Sequence, residues 1–247
     1  MNIEAFQDRL KEAGKRAGFQ LSFYGQVGGI NLPVLQRTHG DAAPEIYIAA
    51  GVHGNEPAPP MAVLELLRRK ALPRQANYTI FPLINPTGLA AGTRENEQGI
   101  DLNRDYGLSP RSRETRAQLE WIGQRLFGLT LCLHEDDEGE GFYLYSHQRF
   151  DGGTDYSALA IEAAEPHTGI DQRTEIDGMP ARSGSMFPPR EVMDHTRPDL
   201  PEALRLYFHH GADLTITTET PSAVNITNRI EAQCAVVQAV IGDWLVR

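Results

Sequence analysis

Two cysteines, Cys132 and Cys234, are all that this chain of 247 residues carries, and it has no surplus of positive charge and no long apolar run. Each shortage removes a class of function. Two cysteines cannot build a disulfide scaffold, and in a chain without a secretion signal they are expected to be free and buried. With 23 Lys and Arg against 33 Asp and Glu, the net charge of −10 speaks against a nucleic-acid partner, which needs clustered cations to neutralise phosphates. The longest apolar stretch, Cys234 to Ile241, is broken by Gln238 and falls short of a membrane span. Met1 to Leu10 mixes charges with Ile3, Phe6 and Leu10 at helical spacing and has no apolar signal core. A cytoplasmic protein without a membrane partner is expected. No P-loop or Gly-x-Gly-x-x-Gly motif is present, and Gly28-Gly29 and Gly152-Gly153 read as turns. His134-Glu135 does not begin a His-Glu-x-x-His motif, because position 138 is Glu138. No repeat or Gly/Ser linker divides the chain, so one domain over residues 1–247 is expected.

What is present is an alternation of strands and helices. Period and breakers predict a helix over Ile3 to Ala17, strands at Leu21 to Tyr24, Leu32 to Arg37 and Glu45 to Ala50, and a helix over Pro57 to Lys70. Tyr78 to Ile84 reads as a strand, followed by a long polar loop from Asn85 to Ser109 of the kind that usually carries function. Further on come a helix at Arg113 to Leu126, a strand at Leu129 to Leu133 and a strand at Phe142 to Tyr145. Then follow helices at Tyr156 to Glu165 and Glu202 to Phe208, a strand at Leu214 to Thr218 and a terminal helix at Ala223 to Val246. The expected fold class is α/β: a mixed, mostly parallel sheet with helices on both faces.

Chemistry is concentrated where strands end. His53 and Glu56 lie in Gly51-Val52-His53-Gly54-Asn55-Glu56-Pro57, directly after an apolar strand, and a tight glycine turn can aim both side chains at one point. Two His and one Glu around zinc leave a position open for water, the arrangement of a hydrolytic site. His134 and Glu219 also follow apolar strands, and ligands of open α/β sheets gather outside such strand ends. Each residue taken alone has a plainer reading. Glu56 and its neighbours could serve turn and cap chemistry, His134 could be a bonded core histidine, Glu219 a solvated carboxylate, and Arg104 a surface ion pair with Asp101 or Asp105.

The order His53-x-x-Glu56, Asn85-Pro86-Thr87-Gly88, Arg94, Asp101-Leu102-Asn103-Arg104, His134 and Glu219 resembles the zinc carboxypeptidase family related to carboxypeptidase A, from about Gly51 to Pro221. That resemblance implies zinc held by His53, Glu56 and His134, with Glu219 as general base. It implies Arg94 as the cation facing the tetrahedral oxyanion, and Asn103 and Arg104 as the pair that holds a substrate carboxylate. The compact bacterial branch includes murein-peptide amidases, and succinylglutamate desuccinylase and aspartoacylase share the same motifs. The function expected is a zinc-dependent metallocarboxypeptidase acting on small peptides, with murein peptides as one candidate. The alternatives are an N-acyl amino acid deacylase and a catalytically inactive metal- or peptide-binding module.

Two features stay open on sequence. Glu135-Asp136-Asp137-Glu138-Gly139-Glu140 reads either as a solvated acidic loop or as a segment facing the cleft, where it would select an amino group or bind a second cation. The family's mobile tyrosine has four candidates: Tyr143, Tyr145, Tyr156 and Tyr207. His39, His147, His167, His195, His209 and His210 match no motif and are expected at the surface or in structural roles.

Overall fold

Ile3, Phe6, Leu10 and Ala13 form the buried face of helix α1 (Ile3–Arg16), whose first turn is capped by the Asn2 side chain accepting the Ala5 N–H. A hairpin of β1 (Gln20–Val27) and β2 (Ile30–Arg37) follows, then β3 (Glu45–Ala50), α2 (Ala58–Arg69) and β4 (Asn77–Phe81). The computed structural model describes residues 1–150, 152–188 and 190–247. After β4 come α3 (Pro86–Ala91), a 3-10 turn (Leu102–Arg104), α4 (Arg113–Ile122), β5 (Leu129–Asp136), β6 (Tyr143–Gln148) and α5 (Tyr156–Thr168). The short strands β7 (Glu175–Ile176), β8 (Met179–Arg182) and β9 (Ser185–Met186) precede α6 (Glu202–His209), β10 (Leu214–Pro221) and α7 (Ile226–Trp244).

The strands form one sheet in the order β1-β2-β4-β3-β5-β10-β6-β9-β8-β7. The expectation of a mixed sheet with helices on both faces is met, but the sheet is not mostly parallel. Its four central strands, β4, β3, β5 and β10, run parallel, whereas the flanks on both sides are chiefly antiparallel. The reason is local: β1 to β2 and β8 to β9 are joined by turns too short for a crossover, and only connections holding a helix can return a parallel strand.

Period two sorts the central side chains onto two cores. Ile46, Ile48, Leu129, Leu131, Leu133, Leu214 and Ile216 face α1, α2, α5 and α7. Tyr47, Ala49 and Cys132 face the opposite side, with Ile122 of α4 and Ala203 and Leu206 of α6. Cys132 and Cys234 are free and lie on opposite sides of the sheet. No helix among the described residues is long and apolar enough to cross a membrane.

Three departures from the sequence reading bear on the site. The polar stretch from Asn85 to Ser109 contains α3 and the 3-10 turn, because Asn85 caps α3 and Asp101 caps the turn. Strand β5 continues through His134 into Glu135 and Asp136, so the acidic segment begins inside the sheet and not in a loop. The β7–β9 strands, which carry no strong alternation, form an additional flank beside β6.

Candidate metal centre and cleft

The parallel centre of the sheet brings three strand ends together. Ala50 of β3 lies in register with Leu133 of β5, and His134 is paired with Glu219 of β10. By parity His134 and Glu219 leave the sheet on the same side, the one covered by α4 and α6.

Two glycines shape the turn after β3. Gly51 has φ +67, a left-handed conformation that side chains rarely adopt. Gly54 sits so tightly against α3 that a Cβ would lie 1.9 Å from the Gly88 carbonyl carbon. This contact also orders the neighbouring segment: the Arg94 carbonyl accepts from the Asn85 side-chain amide at 3.2 Å and from the Gly54 N–H at 3.4 Å. The Asn85-Pro86-Thr87-Gly88 motif is thus the mould in which the His53 turn and Arg94 are held.

His53, Glu56 and His134 are each about 2% exposed, and one ligand atom from each lies within 4.8 Å of the others. Glu56 sits between the two imidazoles. Its Oε1 is 2.5 Å from His53 Nδ1, and its Oε2 is 3.1 Å from His134 Nδ1 but has no hydrogen-bond donor. The other nitrogen of His53, Nε2, reaches Asp101 Oδ1 at 3.1 Å. That contact assigns the proton to Nε2 and turns the Nδ1 lone pair toward Glu56. Lone pairs and a carboxylate crowded in this way repel one another unless a cation lies among them. The donor set and the orphaned Glu56 oxygen therefore fit a dication such as zinc, with room for a fourth ligand.

Charge follows the same pattern. In the metal-free chain burial opposes ionisation of Glu56, but the two imidazoles, each able to take up a proton facing it, outweigh it and hold its carboxyl at about 2; a bound dication would replace those protons. Burial also disfavours a charged His53, yet Glu56 and Asp101 raise its pKa. Glu219 has the reverse surroundings. Burial raises its pKa, Glu56 and Asp136 add to the effect, and His134 and Arg94 only partly offset it, leaving it at about 8. A dication at the neighbouring ligands pulls that value down again.

All seven candidate site residues line one cavity of about 580 Å³. Arg94 is half-exposed, with its Nε donating to Asp101 Oδ2 at 3.0 Å and its Nη1 4.0 Å from Glu56. Asn103 accepts the Glu202 N–H on its Oδ1 at 3.0 Å, and Arg104 is exposed at the rim.

Asp101 was not assigned a role on sequence, although it opens the Asp101-Leu102-Asn103-Arg104 motif. Its Oδ1 takes both His53 Nε2 and the Asn103 N–H, while its Oδ2 takes Arg94. Burial opposes its ionisation, but His53, Arg94 and Arg104 hold its carboxyl well below the ordinary range. His147, expected at the surface or in a structural role, lines the cavity beside Tyr143 and Tyr145. The signal was their period-two spacing along β6. Arg197 also lines the cavity, and no motif marks it.

The acidic segment is divided in its duties. Glu135 turns away to accept the Ala58 N–H at the start of α2 and to pair with Arg229. Asp136 accepts from the Tyr143 hydroxyl and the Glu138 N–H, both at 3.0 Å, and with Asp137 and Glu138 it forms a cavity wall. Of the four tyrosine candidates, Tyr143 and Tyr145 line the cavity, whereas Tyr156, the first residue of α5, is buried in the core on the α5 and α7 side of the sheet.

Residues 42–165, half of the chain, match the succinylglutamate desuccinylase/aspartoacylase catalytic domain. The chain belongs to that family. The matched span includes His53, Glu56, Arg94, Asn103, Arg104 and His134 and ends before Glu219. Among solved structures, a candidate metallopeptidase from Shewanella denitrificans OS217 is 28% identical with a TM-score of 0.84, covering 98% of this chain and 90% of that one. One from Shewanella amazonensis SB2B has the same identity and TM-score and covers 98% and 92%. A metallo-carboxypeptidase from Burkholderia cenocepacia, 17% identical with a TM-score of 0.73 over 98% of this chain and 68% of that one, shares the fold. Carboxypeptidase SOL1 of Arabidopsis thaliana is 26% identical over 114 residues, which span 38% of this chain and only 23% of that protein. The family is thus that of the succinylglutamate desuccinylase/aspartoacylase catalytic domain, and the fold is shared with solved candidate metallopeptidases and metallo-carboxypeptidases.

Proposed function

We propose that the protein is a zinc-dependent amide hydrolase whose substrate carries a free carboxylate next to the scissile bond, acting as a metallocarboxypeptidase on small peptides. The observation that carries this reading is the meeting, in one cavity, of a His-Glu-His cluster, the raised-pKa carboxyl of Glu219, which has no ion-pair partner among the described residues, and the arginines Arg94 and Arg104. A dication held by His53, Glu56 and His134 would supply Lewis-acid chemistry to the carbonyl and to water. The substrate carboxylate is held by the Asn103 amide and the Arg104 guanidinium, which places the adjacent amide bond toward the sheet end. Glu219 takes the proton of the attacking water on a carboxylate oxygen and returns it to the departing nitrogen. Arg94 is fixed through Asp101, so its remaining N–H groups face the charge that develops on the carbonyl oxygen, an interaction worth about 3 kcal/mol. Met179, Val192, Met193 and Leu204 line the same cavity and limit water around the reacting groups.

The family match favours a second reading, an N-acyl amino acid deacylase. Such a substrate also presents a carboxylate beside an amide, so Asn103 and Arg104 would serve it equally. The wall of Asp136, Asp137 and Glu138 disfavours an anionic acyl group and supports the peptidase reading. The deciding experiment offers the zinc-loaded chain four substrates: free-carboxylate peptides, the same peptides amidated, N-acetyl-amino acids and N-succinyl-amino acids. Release of the terminal residue from the first set alone is expected. Turnover of acyl amino acids alone would establish the deacylase, and bound zinc with no turnover of any would point to a binding module.

A further inference from the structure

Glu202 takes no part in the chemistry above, yet it is one of the most heavily bonded carboxylates in the molecule. It is 1% exposed at the first position of α6, and its Oε1 accepts from two neutral donors, Tyr47 Oη and Gln118 Nε2 at 2.9 Å, with Tyr106 Oη 3.3 Å away. The donors are also tied to one another. Gln118 Nε2 lies 2.6 Å from Tyr47 Oη, and the Tyr106 hydroxyl donates to Gln118 Oε1 at 2.5 Å. A carboxylate taken out of water without a cationic partner is costly, and an apolar residue would fill the same space more cheaply. Something other than packing is needed to account for it.

The ring joins four elements that meet at the cleft. Tyr47 comes from β3, the strand that delivers His53, and Gln118 comes from α4. Tyr106 follows the 3-10 turn bearing Asn103, and its N–H bonds the Leu200 carbonyl just before α6. Glu202 itself closes the circuit through its backbone, because its N–H donates to Asn103 Oδ1 at 3.0 Å. That bond occupies the only side-chain acceptor of Asn103, so the Asn103 Nδ2 donors are left for the cavity. The Asn103 backbone is fixed from the other side by Asp101 Oδ1 at 2.9 Å.

We infer that Glu202 is a positioning residue for substrate recognition: its buried carboxylate fixes the first turn of α6, whose N–H in turn presets the Asn103 amide toward a substrate carboxylate. This rests on the reading that Asn103 holds such a carboxylate. An asparagine free to rotate would lose that freedom on meeting the anion, so the preset rotamer contributes to binding and not to the proton transfers at Glu219.

The test uses the zinc-loaded full chain. With a peptide bearing a free terminal carboxylate, Glu202→Ala should raise KM about tenfold with kcat within about twofold, the pattern of lost ground-state binding. Glu202→Gln, which keeps an acceptor in the ring, should restore KM to within about threefold of wild type. Combining Glu202→Ala with Asn103→Ala should raise KM no further than Asn103→Ala alone, since both act through one contact. A multiplicative double variant, or an equal fall in kcat, would overturn the assignment. Tyr106→Phe removes one donor and should shift KM in the same direction by a smaller factor, which covers the case in which Glu202→Ala fails to fold. The Asn103 side-chain amide is also observable by NMR without any substrate. A single ordered pair of resonances in wild type that becomes averaged in the ring variants supports the inference. Unchanged resonances overturn it, whether or not any peptide is hydrolysed.

Discussion

Glu56 and Glu219 face the same cavity, one from the turn after β3 and the other from strand β10, and their surroundings drive them in opposite directions. Glu56 lies between His53 and His134 and is held at about 2, whereas Glu219 lies half-buried on β10 near other carboxylates and is raised to about 8. One residue type thus yields a permanent anion fit to hold a cation and a carboxylate fit to exchange a proton near neutrality. Pairs of titratable groups whose environments push them apart in this way mark the division of labour in a hydrolytic site.

Removing the permanent anion should have the largest effect. Glu56→Gln or His134→Ala should leave less than about a tenth of an equivalent of zinc after dialysis, with hydrolysis reduced by about 10⁴ or more. Glu219→Gln should be different in kind: one equivalent of zinc retained, and kcat lowered by about 10²–10⁴. Metal analysis beside steady-state rates checks both. If Glu219→Gln also released the metal, Glu219 would be a ligand and the contrast with Glu56 would collapse.

Asp101 sharpens the comparison at the next level of effect. It links the two regions, since one oxygen orients His53 and the other holds Arg94. Asp101→Asn should weaken zinc about 10–100-fold, as read by competition with a chelator. An unchanged affinity would mean that the turn of Gly51 to Glu56 orients His53 unaided.

The strand-end placement of these residues was legible in sequence because apolar runs of four to eight residues bounded by glycine and polar turns are strong signals. Strand β3 was read at its observed bounds, and the helices were found with ends a few residues off. What sequence could not show was the work done by polar residues at a distance. Glu135 looked like part of an acidic loop, but a strand ladder carries it under α2, where it meets the Ala58 N–H and Arg229. Asp101 lay in plain view inside a motif, yet its contact with His53 joins residues 48 positions apart. The parallel character of the sheet was overestimated for a related reason. The alternation of strands and helices describes the centre, while β7, β8 and β9 are too short and too weakly patterned to announce their antiparallel pairing.

The smallest expected effect concerns stability, and it tests the raised pKa directly. Because the Glu219 pKa rises from 4.5 to about 8 on folding, the folded metal-free chain binds more protons than the unfolded chain between those values. Its stability should therefore fall as pH rises through that window. Glu219→Gln removes this term. At pH 8.5 in chelator the variant should melt above wild type by a few degrees, given about 2–4 °C per kcal/mol for a chain of this size. The difference should vanish below about pH 3.5, where Glu219 is protonated in both states. Zinc should reverse the order at high pH, since a dication favours the ionised carboxylate beside it. Equal melting of variant and wild type across the whole range would show Glu219 to be an ordinary solvated carboxylate, and its contrast with Glu56 would then rest on position alone.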